Sequence, residues 1–188
     1  LARTDAAIAV DPSSAPAHFA RGRVLAAQTK WNEAKDAYNA VLRLNPRAAG
    51  AQVELSKLHL QTGAPASAVA LAGAAITSDP RRVDARVILA RGLIARGEYA
   101  QAESVLNELR AALPQAATVH AQIGLLHLGK RETAKAMAAF LRALELDPME
   151  IDAVHGVVTL DLAAGRQAEA LGRLRTLIDR APGNAGLR

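Results

Sequence analysis

The sequence predicts an all-α fold, a solenoid of helix–turn–helix units, and three observations carry the prediction. Six of the eight prolines stand at Pro12, Pro46, Pro80, Pro114, Pro148 and Pro182, so every interval is 34 residues. A fixed period between about 20 and 50 residues marks a stacked-repeat architecture. A column of alanines keeps the same step at Ala34, Ala68, Ala102, Ala136 and Ala170. The composition agrees: 188 residues include 44 Ala and 25 Leu against 2 Phe, 2 Tyr and 1 Trp. Strands favour β-branched and aromatic side chains, whereas Ala and Leu are strong helix formers.

The elements follow in order from these columns. Residues 1–14 hold one helix, whose Ile8-bearing face lacks a partner helix, so this end is expected to fray or to stack on a second copy. Residues 15–48, 49–82, 83–116, 117–150 and 151–184 each read as helix, turn, helix, turn. The first helix of a unit shows apolar residues at helical spacing, as in Val53, Leu55, Leu58 and Leu60. A mostly small column runs through these helices at Gly22, Ser56, Ala90, Gly124 and Val158. Gly63, Gly97 and Gly165 suit a left-handed residue after the first helix. The second helix carries the alanine column and apolar runs such as Phe140, Leu141 and Leu144, and the proline follows because it cannot continue a helix. Residues 185–188 match the opening of a further unit. The sequence is therefore expected to be a piece of a longer array, with about eleven helices in a single domain.

Charge and composition narrow the function. The net charge is +5, from 23 basic and 18 acidic residues, and the basic excess belongs to residues 15–48 and 49–82, mostly to the first of these. Aromatic stacking residues are nearly absent, which argues against nucleic-acid binding despite the basic balance. With no cysteine there are no disulfides or thiolate sites, and both the cytoplasm and the periplasm stay open as compartments. The longest apolar run, residues 68–76, is far too short to span a membrane. No G-x-S-x-G and no phosphate-binding loop is present, so no enzymatic activity is expected. The histidines His18, His59, His120, His127 and His155 lack a third ligand at metal spacing and read as packing groups with a polar tip. No metal, cofactor or small-molecule substrate is expected. Arg21 and Asp161 fall in columns that should be buried. Arg21 is expected to pair with Asp5 or Asp36, or like Asp161 to lie near an edge and reach water.

These columns resemble the tetratricopeptide repeat family. The match is closest over residues 117–150, with Ile123-Gly124, His127, Ala136, Phe140, Ala143 and Pro148; residues 15–48 add Gly22, Leu25, Ala34, Tyr38 and Pro46. The family's leading Trp is replaced by His18, Gln52, Arg86, His120 and Val154. The resemblance implies a right-handed superhelix whose first helices line a concave groove. Groove positions would then hold Phe19, Val53 and Val87, with Arg23, Lys57 and Arg91 one turn later and Leu60, Ile94 and Leu128 beyond. An apolar residue followed four places on by a cation, in three consecutive units, suits a protein or peptide with acidic and apolar residues. The Lys–Asn pair of the family's acidic-tail clamp is absent, as is its asparagine ladder. The resemblance thus implies an interaction scaffold, similar to arrays of bacterial envelope, secretion and exopolysaccharide systems. Nucleic-acid binding and self-assembly through the stack ends stand as alternatives.

Overall fold

Helices begin where the columns place them. The computed structural model describes residues 1–180, with side chains through residue 176. Its described residues form eleven helices and no strand: α1 (Ala2–Val10), α2 (Ala15–Ala27), α3 (Trp31–Leu44), α4 (Ala49–Gln61), α5 (Pro65–Ser78), α6 (Val83–Ala95), α7 (Tyr99–Ala112), α8 (Ala117–Gly129), α9 (Thr133–Leu146), α10 (Ile151–Ala163) and α11 (Gln167–Arg180). The first helices of the repeats start at residues 15, 49, 83, 117 and 151, and the second helices keep the same step of 34 from Trp31. The expectations for Pro182 and for residues 185–188 lie outside the described residues. The helices group into two compact units, one from Leu1 to Arg96 and one from Gly97 onward.

Two devices recur at the helix ends. The turn inside each repeat is closed by a left-handed residue: Thr29 (φ 58°), Gly63 (73°), Gly97 (76°), Arg131 (62°) and Gly165 (74°). Glycine meets that geometry without strain, whereas a residue with a Cβ loses about 1–2 kcal/mol. Replacing Arg131 by Gly is therefore expected to raise stability by about 0.5–1 kcal/mol after the entropy of the unfolded glycine is subtracted. A urea midpoint that rises with unchanged slope checks this, and Gly63→Ala should move it the other way.

The second device sits in the first turn of the first helices. His18 Nε2 donates to the Pro12 carbonyl at 3.0 Å and Gln52 Nε2 to that of Pro46 at 2.8 Å. Arg86 Nη2 donates to the Pro80 carbonyl at 3.2 Å and His120 Nε2 to that of Pro114 at 2.9 Å. A carbonyl only accepts, so both histidines carry a hydrogen on Nε2. The polar side chains in the family's Trp column thus tie α2, α4, α6 and α8 to the turn before each, whereas α10 carries Val154 there.

Small residues and aromatics interlock in each unit. In the first, Leu25, Ala34, Ala37, Tyr38, Val41, Ala51, Leu55 and Leu58 form one buried cluster. A Cβ on Gly22 would fall 2.7 Å from the Tyr38 ring, so α2 and α3 approach only through glycine. In the second unit Phe140 is buried with Ala121, Ala136, Ala143, Ala153, Val157 and Leu160. Its ring lies between Gly124 of α8 and Gly156 of α10, and a Cβ on either would overlap it. The alanine column is buried in all five repeats. At the start of the chain α1 contributes no buried residue; Ile8 is half-buried.

Arg21 pairs with Asp5, Nε to Oδ1 at 2.9 Å, the first of its two expected partners. Asp161 departs from the expectation of a water-facing edge. Its side chain is only 2% exposed. Oδ1 accepts from Arg166 Nε at 2.9 Å and Nη2 at 2.8 Å, and Oδ2 from Arg173 Nε at 3.1 Å. The chain reverses direction just after Asp161, and Arg166 of the turn and Arg173 of α11 close over the carboxylate.

His59 carries a buried Nδ1 with no hydrogen-bond partner. Burial, with a smaller effect of the nearby Lys35 charge, holds its pKa below the usual imidazole value. A base whose folded pKa is depressed contributes stability fully above its unfolded pKa and loses it as pH falls below that value. The loss of stability between about pH 7 and pH 5 is therefore expected to shrink in His59→Leu, measured by urea midpoints at the two pH values.

Candidate functional site

The first helices of the first unit carry most of the expected groove residues. Helices α4 and α6 are neighbours. Helix α2 meets α4 at Gly50, where the place of an added Cβ lies 3.6 Å from Phe19 Cε2 and 3.7 Å from Arg82 Nη1. The missing side chain lets a ring and a guanidinium settle on the start of α4.

Phe19 is half-buried and packs edge-on against Tyr38, with ring centroids 5.5 Å apart and planes at 60°. Tyr38 is itself fully enclosed. Burial, reinforced by the Glu54 charge and opposed by that of Arg23, pushes its phenol up to about 12. Phe19 therefore rests on a neutral, closely packed base. Arg23 is exposed one turn further along α2 and makes no ion pair among the described residues.

The other cations of the ladder have different surroundings. Lys57 and Arg91 are exposed, but Lys57 Nζ donates to Glu54 Oε1 at 2.8 Å. A further pair, not foreseen from the sequence, stands at the start of α6. Arg82 donates from Nε to Asp84 Oδ1 at 3.0 Å and from Nη2 to Oδ2 at 2.6 Å. Asp84 Oδ1 also accepts the Ala85 backbone N–H at 2.9 Å. The Arg82 hydrogen bonds hold the Asp84 carboxyl below the usual range. Lys57 three residues after Glu54 was a readable signal; the Arg82–Asp84 pair crosses a helix start, where helical spacing gives no guide.

The apolar members divide. Val87, Leu60 and Ile94 are half-buried and offer some surface. Val53 is 0% exposed, packed with Ala72, Ala75, Ala85 and Ile88. It therefore supports the helices from inside and is corrected from contact residue to core residue. Leu128 lies on α8 of the second unit, half-buried against the Phe140 cluster. Among the described residues no group of His, Asp and Glu is placed to hold a metal ion, and no helix is long and apolar enough to cross a membrane.

Tetratricopeptide repeat models match the chain over residues 19–83, 59–123 and 117–148. Among solved structures, a thermophilic TPR protein of Thermus thermophilus is 25% identical, with a TM-score of 0.81 over 93% of this chain and 95% of that one. PilW, described as a type IV pilus biogenesis factor, is 18% identical with a TM-score of 0.76 over 99% of this chain and 86% of its own. YrrB, described as a TPR protein with an unusual peptide-binding site, is 18% identical with a TM-score of 0.64 over 98% and 95%. The last two likenesses concern the fold alone. No curated protein sequence is significantly similar.

Proposed function

The chain belongs to the tetratricopeptide repeat family, and on that premise we propose that it is a non-enzymatic interaction scaffold whose first unit docks a peptide segment of acidic and apolar residues along α2, α4 and α6. The observation that carries this reading is the pairing of Phe19 with Arg23: a half-buried ring on a rigid base, and one turn away an exposed arginine that makes no ion pair among the described residues. Aromatic and arginine side chains are the usual anchors of interfaces. Lys57, paired with Glu54, and Arg91 stand exposed on the neighbouring helices. The likeness to YrrB favours a peptide ligand, and the likeness to PilW favours a place in a bacterial envelope or secretion system.

The test is the association rate of a labelled peptide of alternating Glu and Leu with the full chain. Changing Arg23, Lys57 and Arg91 together to Glu is expected to slow association by about tenfold or more at low salt, with the difference shrinking as salt rises. Helicity should hold, because all three sites are exposed. The matched control reverses Arg43, Arg110 and Arg175, exposed arginines of second helices. Arg173 is unsuitable as a control because it pairs with buried Asp161. Equal slowing by the two triples would reduce the effect to overall charge and remove the site.

A further inference from the structure

Helix α11 breaks the repeat at two adjacent positions. Gly172 stands where the other second helices carry Asp36, Ala70, Ser104 and Ala138. Arg173 stands where they carry Ala37, Leu71, Val105 and Ala139. Those four apolar residues are buried or half-buried, whereas Arg173 is exposed. One change removes a side chain, and the next puts a cation in an apolar column.

A cavity of about 370 Å³ lies at this point, between α9, α10 and α11. Its floor is Val154 and Val157, both buried; Leu144 and Val158 are half-buried walls, and Gly172 and Arg173 stand exposed at the rim. A Cβ added to Gly172 would meet nothing within 4 Å, so the place of the missing side chain is open. A water molecule takes up about 30 Å³ in the liquid, which gives the cavity room for about a dozen heavy atoms. Pockets of this size hold small molecules.

The polar groups all lie at the rim. No carboxylate lines the cavity among the described residues. Thr176 Oγ1 donates to the Gly172 carbonyl at 2.9 Å, so its hydrogen is taken. Arg173 donates from Nε to Asp161 Oδ2 at 3.1 Å, which holds the guanidinium in place and leaves its terminal N–H groups as donors. Arg166 and Arg173 set two positive charges against the one negative charge of Asp161. The cluster therefore keeps a net positive charge beside an apolar cavity.

We propose that this cavity binds a medium-chain aliphatic carboxylate, its tail on Val154, Val157, Val158 and Leu144 and its head on Arg173. A plain alkyl chain suits these walls better than a peptide segment. The walls are hydrocarbon, and the helix backbones behind them bond within their own ladders, so peptide amides buried there would go unpaired at a cost. An alkyl chain brings no such group, and its carboxylate stays at the solvent-exposed rim. The site uses other residues than the Phe19–Arg23 face and does not depend on the function proposed for that face.

The test titrates the full chain with decanoate by calorimetry, below the concentration at which the acid forms micelles. Saturable binding of one decanoate per chain is expected. Gly172→Leu should weaken it by about tenfold or more, because the new side chain occupies the cavity, and Gly172→Ala by less. Both residues are better helix formers than glycine and meet open space, so neither change should lower the melting midpoint. Gly73→Leu makes the same exchange at a glycine of α5 whose added Cβ also meets nothing, and it should leave the affinity unchanged. Decyltrimethylammonium has the same tail and the opposite charge, and it should bind the unaltered chain at least about tenfold more weakly. This comparison needs no substitution and decides the charge claim even if a variant melts early. The proposal is overturned if decanoate does not bind saturably, or if Gly172→Leu leaves its affinity within about twofold. It is equally overturned if Gly73→Leu weakens binding as much, or if the ammonium compound binds as well as the acid. A peptide ending in leucine that bound more tightly than decanoate would overturn it too, and would make the cavity a reader of chain termini.

Discussion

Phe140→Ala is expected to lower stability by about 3–5 kcal/mol, the range for removing a buried aromatic ring. The ring is fully enclosed, and two backbones approach it through Gly124 and Gly156. Such a site collapses poorly, because the helices on both sides already stand at glycine distance from the ring. Phe140→Leu should cost less, since part of the volume stays. The interlock predicts a specific coupling. Gly124→Ala alone should destabilise by about 1–3 kcal/mol through overpacking, but by clearly less in the Phe140→Leu background, where the added methyl finds space. Urea denaturation of the four proteins gives the double-mutant cycle. Additive effects would show that the glycine column and the aromatic do not meet as described.

The parts of the fold that were legible share one physical property: they depend on local spacing. Proline every 34 residues ends the second helices, and the alanine column lies at their close contacts, so both helices of each repeat begin in the expected register. The left-handed turn was legible at Gly63, Gly97 and Gly165 because glycine advertises that backbone. It was silent at Thr29 and Arg131, where the turn imposes the same φ on residues that disfavour it. The polar residues in the Trp column could be read as packing groups with a polar tip, but not as donors to the proline carbonyl six residues back. In the candidate site, spacing gave the exposed cations correctly and missed their neighbours. Val53 shares its repeat position with Phe19, yet it is sealed by Ala85 and Ile88 from the following repeat, a contact no single unit reveals. Glu54 lies close enough in sequence to foretell its pair with Lys57. The bond from Gln122 to Asp152 spans 30 residues, beyond the reach of local pattern.

Removing Arg166 and Arg173 together, each to Ala, is expected to cost about 3–5 kcal/mol, far more than removing the acid they serve. The asymmetry follows from where each charge sits. The Asp161 side chain is 2% exposed, whereas those of Arg166 and Arg173 are 46% and 42% exposed. Without its arginines the carboxylate stays buried and unpaired, and the surrounding α10 and α11 cannot hydrate it without opening. Without the carboxylate, both guanidinium groups swing into water on their flexible stems. Asp161→Asn should therefore cost distinctly less than the double arginine change. Asp161→Leu, which removes the charge and fills the space, should fall nearer to neutral, as replacement of a buried ion pair by an apolar residue often does. Arg173→Ala alone leaves Oδ1 with its two Arg166 bonds and frees only Oδ2, so it should lie between the extremes. Urea midpoints at neutral pH rank the four variants. If Asp161→Asn proved as damaging as the loss of both arginines, the stabilisation would reside in the specific hydrogen bonds and not in the avoidance of a stranded charge.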